Sequence, residues 1–231
     1  MGRKTTKNAL PQTATRCLTP ASQQRRQVIL DAAAAVFLAD GYQQTAMDRI
    51  AQHADTTKRT LYDHFGNKET LFAAVIEQSC AALLAGLPDP DSLPTQPAAG
   101  LRRYADKLGQ LLGAPACLRL QRVLIAEAPR YPQFAVQLYD TALQGAEQLL
   151  ANYLRRCVAQ GSLIEHDSQA CAHMLMDVLV HAASLRVLLA GQRKNGRAAA
   201  AEPVAQAIAL LLQAYRAPDP AGASAAQMQL F

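Results

Sequence analysis

The stretch TTKRTLYDHF, residues Thr56–Phe65, decides the fold of this chain. Threonine is common at helix N-termini, so Thr57 is expected to cap a helix. Leu61 and Phe65 lie four residues apart and therefore fall on one face of that helix. Polar side chains occupy the outer face and its flanks: Lys58, Arg59, Tyr62 and His64. The sequence thus predicts a short amphipathic helix with two cations in its first turn.

A second short helix is predicted directly before this one. Thr45, followed three residues later by Asp48, is typical of a helix N-terminus, and the helix is expected to continue through Ile50-Ala51. Asp55 lies in the following turn, where aspartate tolerates a left-handed backbone moderately well. Two short helices joined by a turn of three or four residues form a helix-turn-helix, whose second helix enters the major groove of DNA.

The outer side chains of the second helix suit contact with DNA. Arg59 can donate two hydrogen bonds to O6 and N7 of guanine, and Lys58 lies beside it at the helix end that meets base edges. Thr57, Tyr62 and His64 are well placed for phosphate oxygens. The alternative is a charged helix face that is merely solvated.

Further helices on both sides complete the predicted module. Apolar residues recur at helical spacing between Ile29 and Phe37, and Gly41 is expected to end that first helix. Asn67 is expected to cap a fourth helix with an apolar inner face. Lys68, at its start, is expected to hold a phosphate together with the exposed backbone N–H groups.

Residues 29–78 resemble the N-terminal domain of the TetR family of bacterial transcriptional regulators. The residues that carry the resemblance are Ala32-Ala33, Phe37, Gly41-Tyr42, Thr45, Ile50-Ala51, Ala54, Thr60-Leu61-Tyr62, His64-Phe65, Lys68-Glu69 and Leu71. The resemblance implies DNA contacts at nine positions: Thr45, Ala46, Met47, Thr57, Lys58, Arg59, Tyr62, His64 and Lys68. Two residues depart from the family pattern, since Asp55 replaces the usual turn glycine and Arg59 replaces a residue that is often small. Arg59 is therefore expected to change which bases are read.

Composition agrees with an all-α fold. Half of the 231 residues are hydrophobic, tryptophan is absent, and strand signals are scarce. The net charge of +5 favours a polyanion as partner. We therefore predict an N-terminal three-helix helix-turn-helix DNA-binding domain followed by a larger helical ligand-binding and dimerisation domain.

Four segments are expected along the chain. Residues 1–20 form a basic and flexible arm, which either follows DNA phosphates and a minor groove or has no role. Residues 21–80 hold the helix-turn-helix domain, residues 81–217 the effector-binding and dimerisation domain, and residues 218–231 a flexible tail. The proline-rich stretch from Gly86 to Pro97 must break any helix. Beyond it, helices are expected over residues 98–112, 115–128, 133–159, 167–191 and 200–215.

The second domain resembles the corresponding half of TetR-like repressors of the AcrR-like and AefR-like branch. The run Ala126–Pro132, Tyr139 and the stretch Leu149–Leu154 carry this resemblance. It implies that the last two helices of two subunits pack into a four-helix dimer interface. The residues expected there are Leu175, Leu179, Ala182, Ala183, Leu185, Leu189, Val204, Ile208, Leu211 and Leu212. A monomeric core would use the same apolar stripe.

A pocket for a small effector, an uncharged or aromatic hydrophobe, is expected in the second domain. Its expected lining is Tyr104, Leu108, Leu120, Arg122, Leu124, Phe134, Leu138, Tyr153, His173, Met174 and Asp177. Arg122 or Tyr104 would be its polar anchor, although such residues also commonly form an ordinary core. His173, Asp177 and His181 share one helix face, but no fourth ligand is evident, so neither a metal nor a cofactor is predicted.

Other classes of function find little support in the sequence. The sequence has five cysteines: Cys17, Cys80, Cys117, Cys157 and Cys171. They contain no C-x-x-C pair, so neither a disulfide framework nor a zinc ribbon is indicated. A thiol sensor stays an alternative. No motif of an enzyme is present. No apolar run approaches the roughly 20 residues of a membrane span, and a cytoplasmic location is expected.

The sequence therefore predicts a transcriptional regulator that binds a palindromic DNA operator as a homodimer, because one module reads too few base pairs. The preferred interpretation is a repressor that a small effector releases from DNA. An activator or a redox-responsive regulator of the same fold is one alternative. A helical protein-interaction scaffold without DNA binding is another.

Overall fold

The computed structural model describes residues 19–182, 188 and 196–217, with the side chains of the last stretch described from residue 201 onward. Most of the predicted basic arm and the whole predicted C-terminal tail lie outside these residues. Three residues of the expected dimer interface also lie outside them: Ala183, Leu185 and Leu189.

Within these ranges the chain is helical, and its one β-bridge, between Leu163 and Arg216, is isolated. The prediction of an all-α fold is therefore confirmed. A 3-10 turn over Pro90–Ser92 and a π-helical turn over Tyr139–Leu143 interrupt the helices. The helices are α1 Pro20–Asp40, α2 Met47–His53, α3 Lys58–Phe65, α4 Lys68–Gly86, α5 Pro97–Leu112, α6 Pro115–Glu127, α7 Pro132–Leu138, α8 Gln144–Ala159, α9 Ser168–Val180 and α10 Gly196–Tyr215.

Three of the four predicted helix caps are found. Gly41 ends α1 with a φ of 85°, a conformation that favours glycine. Asp55 adopts a left-handed φ of 46° in the turn between α2 and α3, as its residue type allows. The side chains of Thr57 and Asn67 accept hydrogen bonds from the N–H groups three residues ahead, at the starts of α3 and α4.

Thr45 does not cap α2, which corrects the prediction. Its hydroxyl instead donates to the carbonyl oxygen of Gly41 at 2.7 Å, and the side chain is buried. Ala46 occupies the N-cap position and supplies no side-chain hydrogen bond. Thr45 thus ties the start of α2 to the end of α1, a contact that a local capping pattern cannot reveal.

The predicted helix over residues 133–159 is not one regular α-helix. The π-helical turn Tyr139–Leu143 separates α7 from α8. An added residue in one turn shifts the register of every following side chain, and a 3.6-residue pattern does not anticipate this. The last helix also differs, because α10 begins at Gly196 rather than near residue 200.

Two hydrophobic cores divide the described residues. The first core is built from α1–α4 and also contains Leu120 and Leu124 of α6, Phe134 of α7 and Ala142 of the π-helical turn. The second core is built from residues of α5, α8, α9 and α10. Because α4 contributes to both cores, packing is continuous across the expected domain boundary after residue 80.

One stretch passes the length and composition test for a membrane span, and this corrects the expectation that none would. It covers Lys68–Ser92, has a mean hydropathy of 1.6, and consists mainly of α4. Burial in both cores explains the apolar character of α4 without a membrane, since Phe72 and Ile76 lie in the first core and Leu83 in the second.

Hydrogen bonds hold the proline-rich stretch against the second core. Arg156 donates at 2.7 Å to the carbonyl oxygens of Asp91 and Leu93. The buried Tyr153 donates to the carbonyl oxygen of Pro94 at 2.9 Å. A Cβ atom on Gly100 would overlap the hydroxyl of Tyr153. Gly100 is therefore required for close approach rather than for an unusual backbone angle.

Substitution of Gly100 tests this packing. Gly100→Ala should lower the free energy of unfolding by about 1 to 3 kcal/mol, because Tyr153 is fixed and cannot yield. Gly109→Ala is the matched control, since nothing lies within 4 Å of its added Cβ. That variant should instead be more stable by about 0.5 to 1 kcal/mol. Urea unfolding followed by circular dichroism measures the free energy of unfolding of both variants. Equal changes in the two variants would contradict the close contact between Gly100 and Tyr153.

Candidate nucleic-acid interface

Helix α3 presents a polar face because two apolar residues anchor its other side. Leu61 and Phe65 are buried in the first core. Arg59, Tyr62 and Asp63 are exposed, and Tyr62 retains 42% of its accessible surface. Arg59 makes no hydrogen bond or ion pair within the described part of the chain. It is therefore available to bind a ligand outside the fold, whereas most cations near it are engaged.

Lys58 is one of the engaged cations. Its ammonium group lies 2.8 Å from a carboxylate oxygen of Asp48 on α2. The hydrogen bond and the charge of Asp48 raise the pKa of Lys58. Lys58 and Arg59, the two cations expected at base edges, thus differ in their availability for DNA. A DNA contact from Lys58 must break or share its exposed ion pair with Asp48.

Lys68 is held at the start of α4. Its ammonium group donates to the carbonyl oxygen of Gln43 at 3.1 Å and lies 4.7 Å above the ring of Tyr42. Partial burial lowers its pKa. Lys68 is the first residue of α4, the helix end at which the phosphate contact is predicted.

The other expected DNA-contacting residues differ in access. Thr57 and Ala46 are exposed, and His64 is half-buried beside Phe65. The side chains of Thr45 and Met47 are buried, and that of Met47 lies in the first core. A DNA contact from Thr45 or Met47 in this conformation would have to use the backbone.

Arg26 is a further cation near α3, because α1 places it next to the end of that helix. Its guanidinium group lies 4.7 Å from the centre of the Phe65 ring. This brings a further cation to the end of α3. Local sequence patterns do not indicate this contact, because 39 positions along the chain separate Arg26 from Phe65.

The loop between α1 and α2 is joined to the second half of the chain. The N–H of Gln43 donates to a carboxylate oxygen of Glu127 at 3.3 Å, and its side-chain amide donates to the hydroxyl of Tyr131 at the same distance. Burial, together with the nearby Tyr131 and carboxylates, raises the pKa of Tyr42 to about 12. Glu127 is itself buried. These contacts connect the segment before α2 to the end of α6.

The residues expected to line one effector pocket are distributed over the two cores and the surface. Leu120, Leu124 and Phe134 lie in the first core, with Leu138 packed against it, while Tyr104, Leu108 and Tyr153 lie in the second. Four further residues are exposed: Arg122, His173, Met174 and Asp177. Periodicity identifies an inward face but not which core that face enters.

A small cavity lies inside the second core. Its volume is about 10 Å³, room for roughly one water molecule. Its lining includes Tyr104 together with four residues expected at the dimer interface: Leu175, Leu179, Val204 and Ile208. A larger groove of about 670 Å³ follows the polar outer face of α5 and is open to solvent.

Four of the residues expected at the dimer interface are buried within the chain. Leu175, Leu179, Ile208 and Leu211 are buried within their own chain, so they cannot form the exposed part of an interface in this conformation. Ala182, Val204 and Leu212 are half-buried. The large apolar side chains that α9 and α10 do expose are Met174, at 59%, and Leu210, at 67%.

The polar face of α9 is engaged in local contacts. His173 lies 2.9 Å from a carboxylate oxygen of Glu147 and 3.9 Å from one of Asp177. Glu147 is the main cause of the raised pKa of His173. No group of three His, Cys, Asp or Glu side chains with metal-binding geometry occurs in the ranges that the structure describes.

The four cysteines among the described residues are free thiols. Burial raises the pKa of Cys80 to about 11 and also raises the pKa values of Cys117 and Cys171. A raised pKa disfavours the thiolate form that reacts with oxidants, which weakens the alternative of a thiol sensor. Cys17 lies outside the described residues.

Comparison with known proteins agrees with this geometry in both halves of the chain. Residues 29–75 match the family model of the bacterial regulatory proteins of the TetR family, and residues 99–217 match the C-terminal domain of AefR-like transcriptional repressors. The HTH-type transcriptional activator FasR of Mycolicibacterium smegmatis is 39% identical over 64 residues. This match covers 28% of the present chain and 29% of FasR.

Solved structures extend the similarity over most of the chain. A TetR-family transcriptional regulator from Mesorhizobium loti is 25% identical with a TM-score of 0.75, covering 86% of this chain and 100% of the other. The flavonoid-responsive regulator FrrA is also 25% identical, with a TM-score of 0.69, and the match covers 84% of this chain and 98% of FrrA. The chain belongs to the TetR family of bacterial transcriptional regulators, and its C-terminal domain is of the AefR-like type.

Proposed function

We propose that this protein is a cytoplasmic, ligand-responsive repressor that binds a palindromic DNA operator as a homodimer. The observation that carries the proposal is the exposed face of α3, where Arg59 and Tyr62 project away from a buried apolar side. In the proposed complex α3 enters the major groove and Arg59 donates two hydrogen bonds to a guanine. Lys68, Thr57 and His64 bind phosphates and fix the position of the helix, with Arg26 as a further cation near its end.

Dimerisation follows from the size of the DNA target. One recognition helix reads too few base pairs, and two-fold pairing presents two such helices roughly 34 to 36 Å apart on successive turns of the major groove. The face proposed for pairing is the outer side of α9 and α10. Its apolar contacts would come from Met174 and Leu210, and small residues on α10 allow close approach: Ala201, Ala205 and Ala209.

The effector proposed is a small hydrophobic or aromatic molecule that binds in the second domain. The flavonoid-responsive character of FrrA, which is similar over most of its length, supports an aromatic ligand. The contacts between Gln43 and the pair Glu127 and Tyr131 offer a route by which movement of α6 reaches the loop before α2. A ligand that binds better when the two recognition helices are displaced then lowers operator affinity, and operator DNA lowers ligand affinity by the same factor.

Activation of transcription is the second candidate within the same class, and the similarity of 64 residues to the activator FasR favours it. DNA binding itself is common to both candidates. A protein-interaction scaffold would leave the exposed face of Arg59 and Tyr62 without a ligand. No enzymatic activity is proposed, because the relatives are transcriptional regulators.

Two substitutions separate base reading from phosphate binding. Arg59→Ala should weaken binding to the selected operator by about 1 to 3 kcal/mol and remove the preference at one base pair of each half-site. Lys68→Ala should weaken operator and random duplexes alike, since phosphates carry no sequence. Fluorescence anisotropy with both duplexes measures the effects. Arg102→Ala is the control for charge, because Arg102 is an exposed cation on α5. Equal losses on both duplexes for Arg59→Ala would refute its role.

The pairing of Lys58 with Asp48 makes a separate prediction. Asp48→Asn should free Lys58 and remove a negative charge that repels phosphates, so affinity for any duplex should rise by up to about fivefold. The dependence of affinity on salt should become steeper by about one counterion. Anisotropy titrations at several salt concentrations test this, with Asp106→Asn on α5 as control. Unchanged or weaker DNA binding would contradict the prediction.

The proposed dimer face is tested by a charge in its centre. Leu210→Glu should weaken self-association at least about tenfold, because a buried leucine contributes about 1.5 to 3 kcal/mol. Ile125→Glu on α6 is the matched control, since Ile125 is similarly exposed, at 62%, but lies on another helix. Sedimentation equilibrium gives the dimer dissociation constant of each variant. A dimer that tolerates Leu210→Glu as well as Ile125→Glu would exclude this face.

A further inference from the structure

Asp63 lies at the centre of the outer face of α3. Leu61 and Phe65 point into the first core, and Asp63 stands two residues from each. Two residues of an α-helix correspond to about 200° of rotation, so Asp63 points almost directly away from the core. Arg59 lies one helical turn earlier on the same exposed side. The acid is therefore as close to the proposed DNA groove as the cation.

This carboxylate has no partner within the described chain. It forms neither a hydrogen bond nor an ion pair there, even with Arg59 four residues before it, although that spacing permits contact on a helix. It also stands in the last turn of α3, where the helix dipole disfavours a negative charge. Each effect is small, but no interaction within the described fold offsets them.

A carboxylate facing DNA meets a further penalty from the phosphates. A hydrogen-bond donor on a base can offset this penalty. Cytosine presents its N4 amino group in the major groove. Guanine presents the acceptors N7 and O6, thymine presents O4, and adenine presents an amino group beside the acceptor N7. A carboxylate is repelled by each of these acceptors. Cytosine is thus the base that Asp63 can accept with least opposition.

We propose that Asp63 is a specificity-determining residue that accepts a hydrogen bond from N4 of a cytosine in each operator half-site. This inference rests on the proposed function and adds a second base to the guanine assigned to Arg59. Positions where a sequence breaks local rules are expected at functional sites, and an unpartnered acid on a DNA-facing helix is such a position.

The spacing of the two side chains limits where the cytosine lies. Four residues of α-helix advance about 6 Å, and successive base pairs are about 3.4 Å apart. The cytosine should therefore lie within about two base pairs of the guanine that Arg59 contacts. This relation concerns the operator sequence and can be examined without any effector.

Selection of bound duplexes from a random pool, carried out with the full chain and with Asp63→Ala, tests the assignment. The unsubstituted protein should enrich a half-site with one cytosine that the variant no longer requires. Replacement of that cytosine by thymine, which exchanges the N4 donor for an acceptor, should weaken binding of the unsubstituted protein about tenfold to a hundredfold. The same replacement should change binding of Asp63→Ala by less than about twofold.

Binding to random duplex separates base reading from simple repulsion. Asp63→Ala should bind random DNA more tightly while losing discrimination, because a negative charge has left the DNA-facing surface. Asp106→Ala on α5 is the charge control and should leave the base preferences unchanged. Because Asp63 is exposed, thermal unfolding of the variant should match that of the parent.

The outcomes are distinct. If Asp63→Ala retains the cytosine preference, or tightens operator and random duplexes by the same factor, Asp63 only repels DNA and the assignment is overturned while the proposed function stands. If the unsubstituted protein enriches no sequence, the proposed function fails and the assignment fails with it. Loss of the preference at one base pair, with others retained, supports it.

Discussion

The contact of Phe134 with Phe72 joins the DNA-facing helices to the rest of the chain. The ring centres lie 4.8 Å apart at nearly right angles, and Phe134 also contacts Tyr42 at 5.2 Å. Such edge-to-face pairs add about 0.5 to 1.5 kcal/mol to the burial of the rings themselves. Since Tyr42 begins the loop that precedes α2 and Phe72 belongs to α4, one aromatic cluster determines where both ends of the helix-turn-helix lie relative to α7.

The cations on the DNA-facing surface differ in whether they already have a partner, and this depends on their surroundings rather than on residue type. Lys58 is paired with Asp48, and Lys68 is partly desolvated against Tyr42. Arg59 alone among these three has no partner in the described ranges. When most cations on a surface already have partners, phosphate contacts contribute less to its affinity for DNA of any sequence. The difference between operator and random DNA must then depend more on base contacts, which gives more weight to the contacts proposed for Arg59 and Asp63.

Sequence could predict the features that depend on neighbours in the chain. The caps at Thr57 and Asn67, the glycine at the end of α1 and the left-handed Asp55 are local, and each is found as expected. Thr45 was mistaken for a cap because its actual partner, the carbonyl oxygen of Gly41, precedes it. The effector pocket and the dimer interface depend on more than neighbours in the chain, and both stay predictions. A helical period marks the buried side of a helix without identifying what buries it, whether another helix of the same chain or a second copy.

The size of the cavity in the second core constrains how a small molecule can enter that core. Drug-sized ligands occupy roughly 300 to 1,000 Å³, whereas the cavity in the second core has about 10 Å³. Its lining comes mainly from α5, α9 and α10, so a ligand can enter this core only by moving these helices apart. Because α9 and α10 also carry the face proposed to pair two subunits, expansion of the core would alter the angle between those subunits. A ligand that stabilises the expanded core would thereby change the spacing of the two recognition helices without contacting either of them.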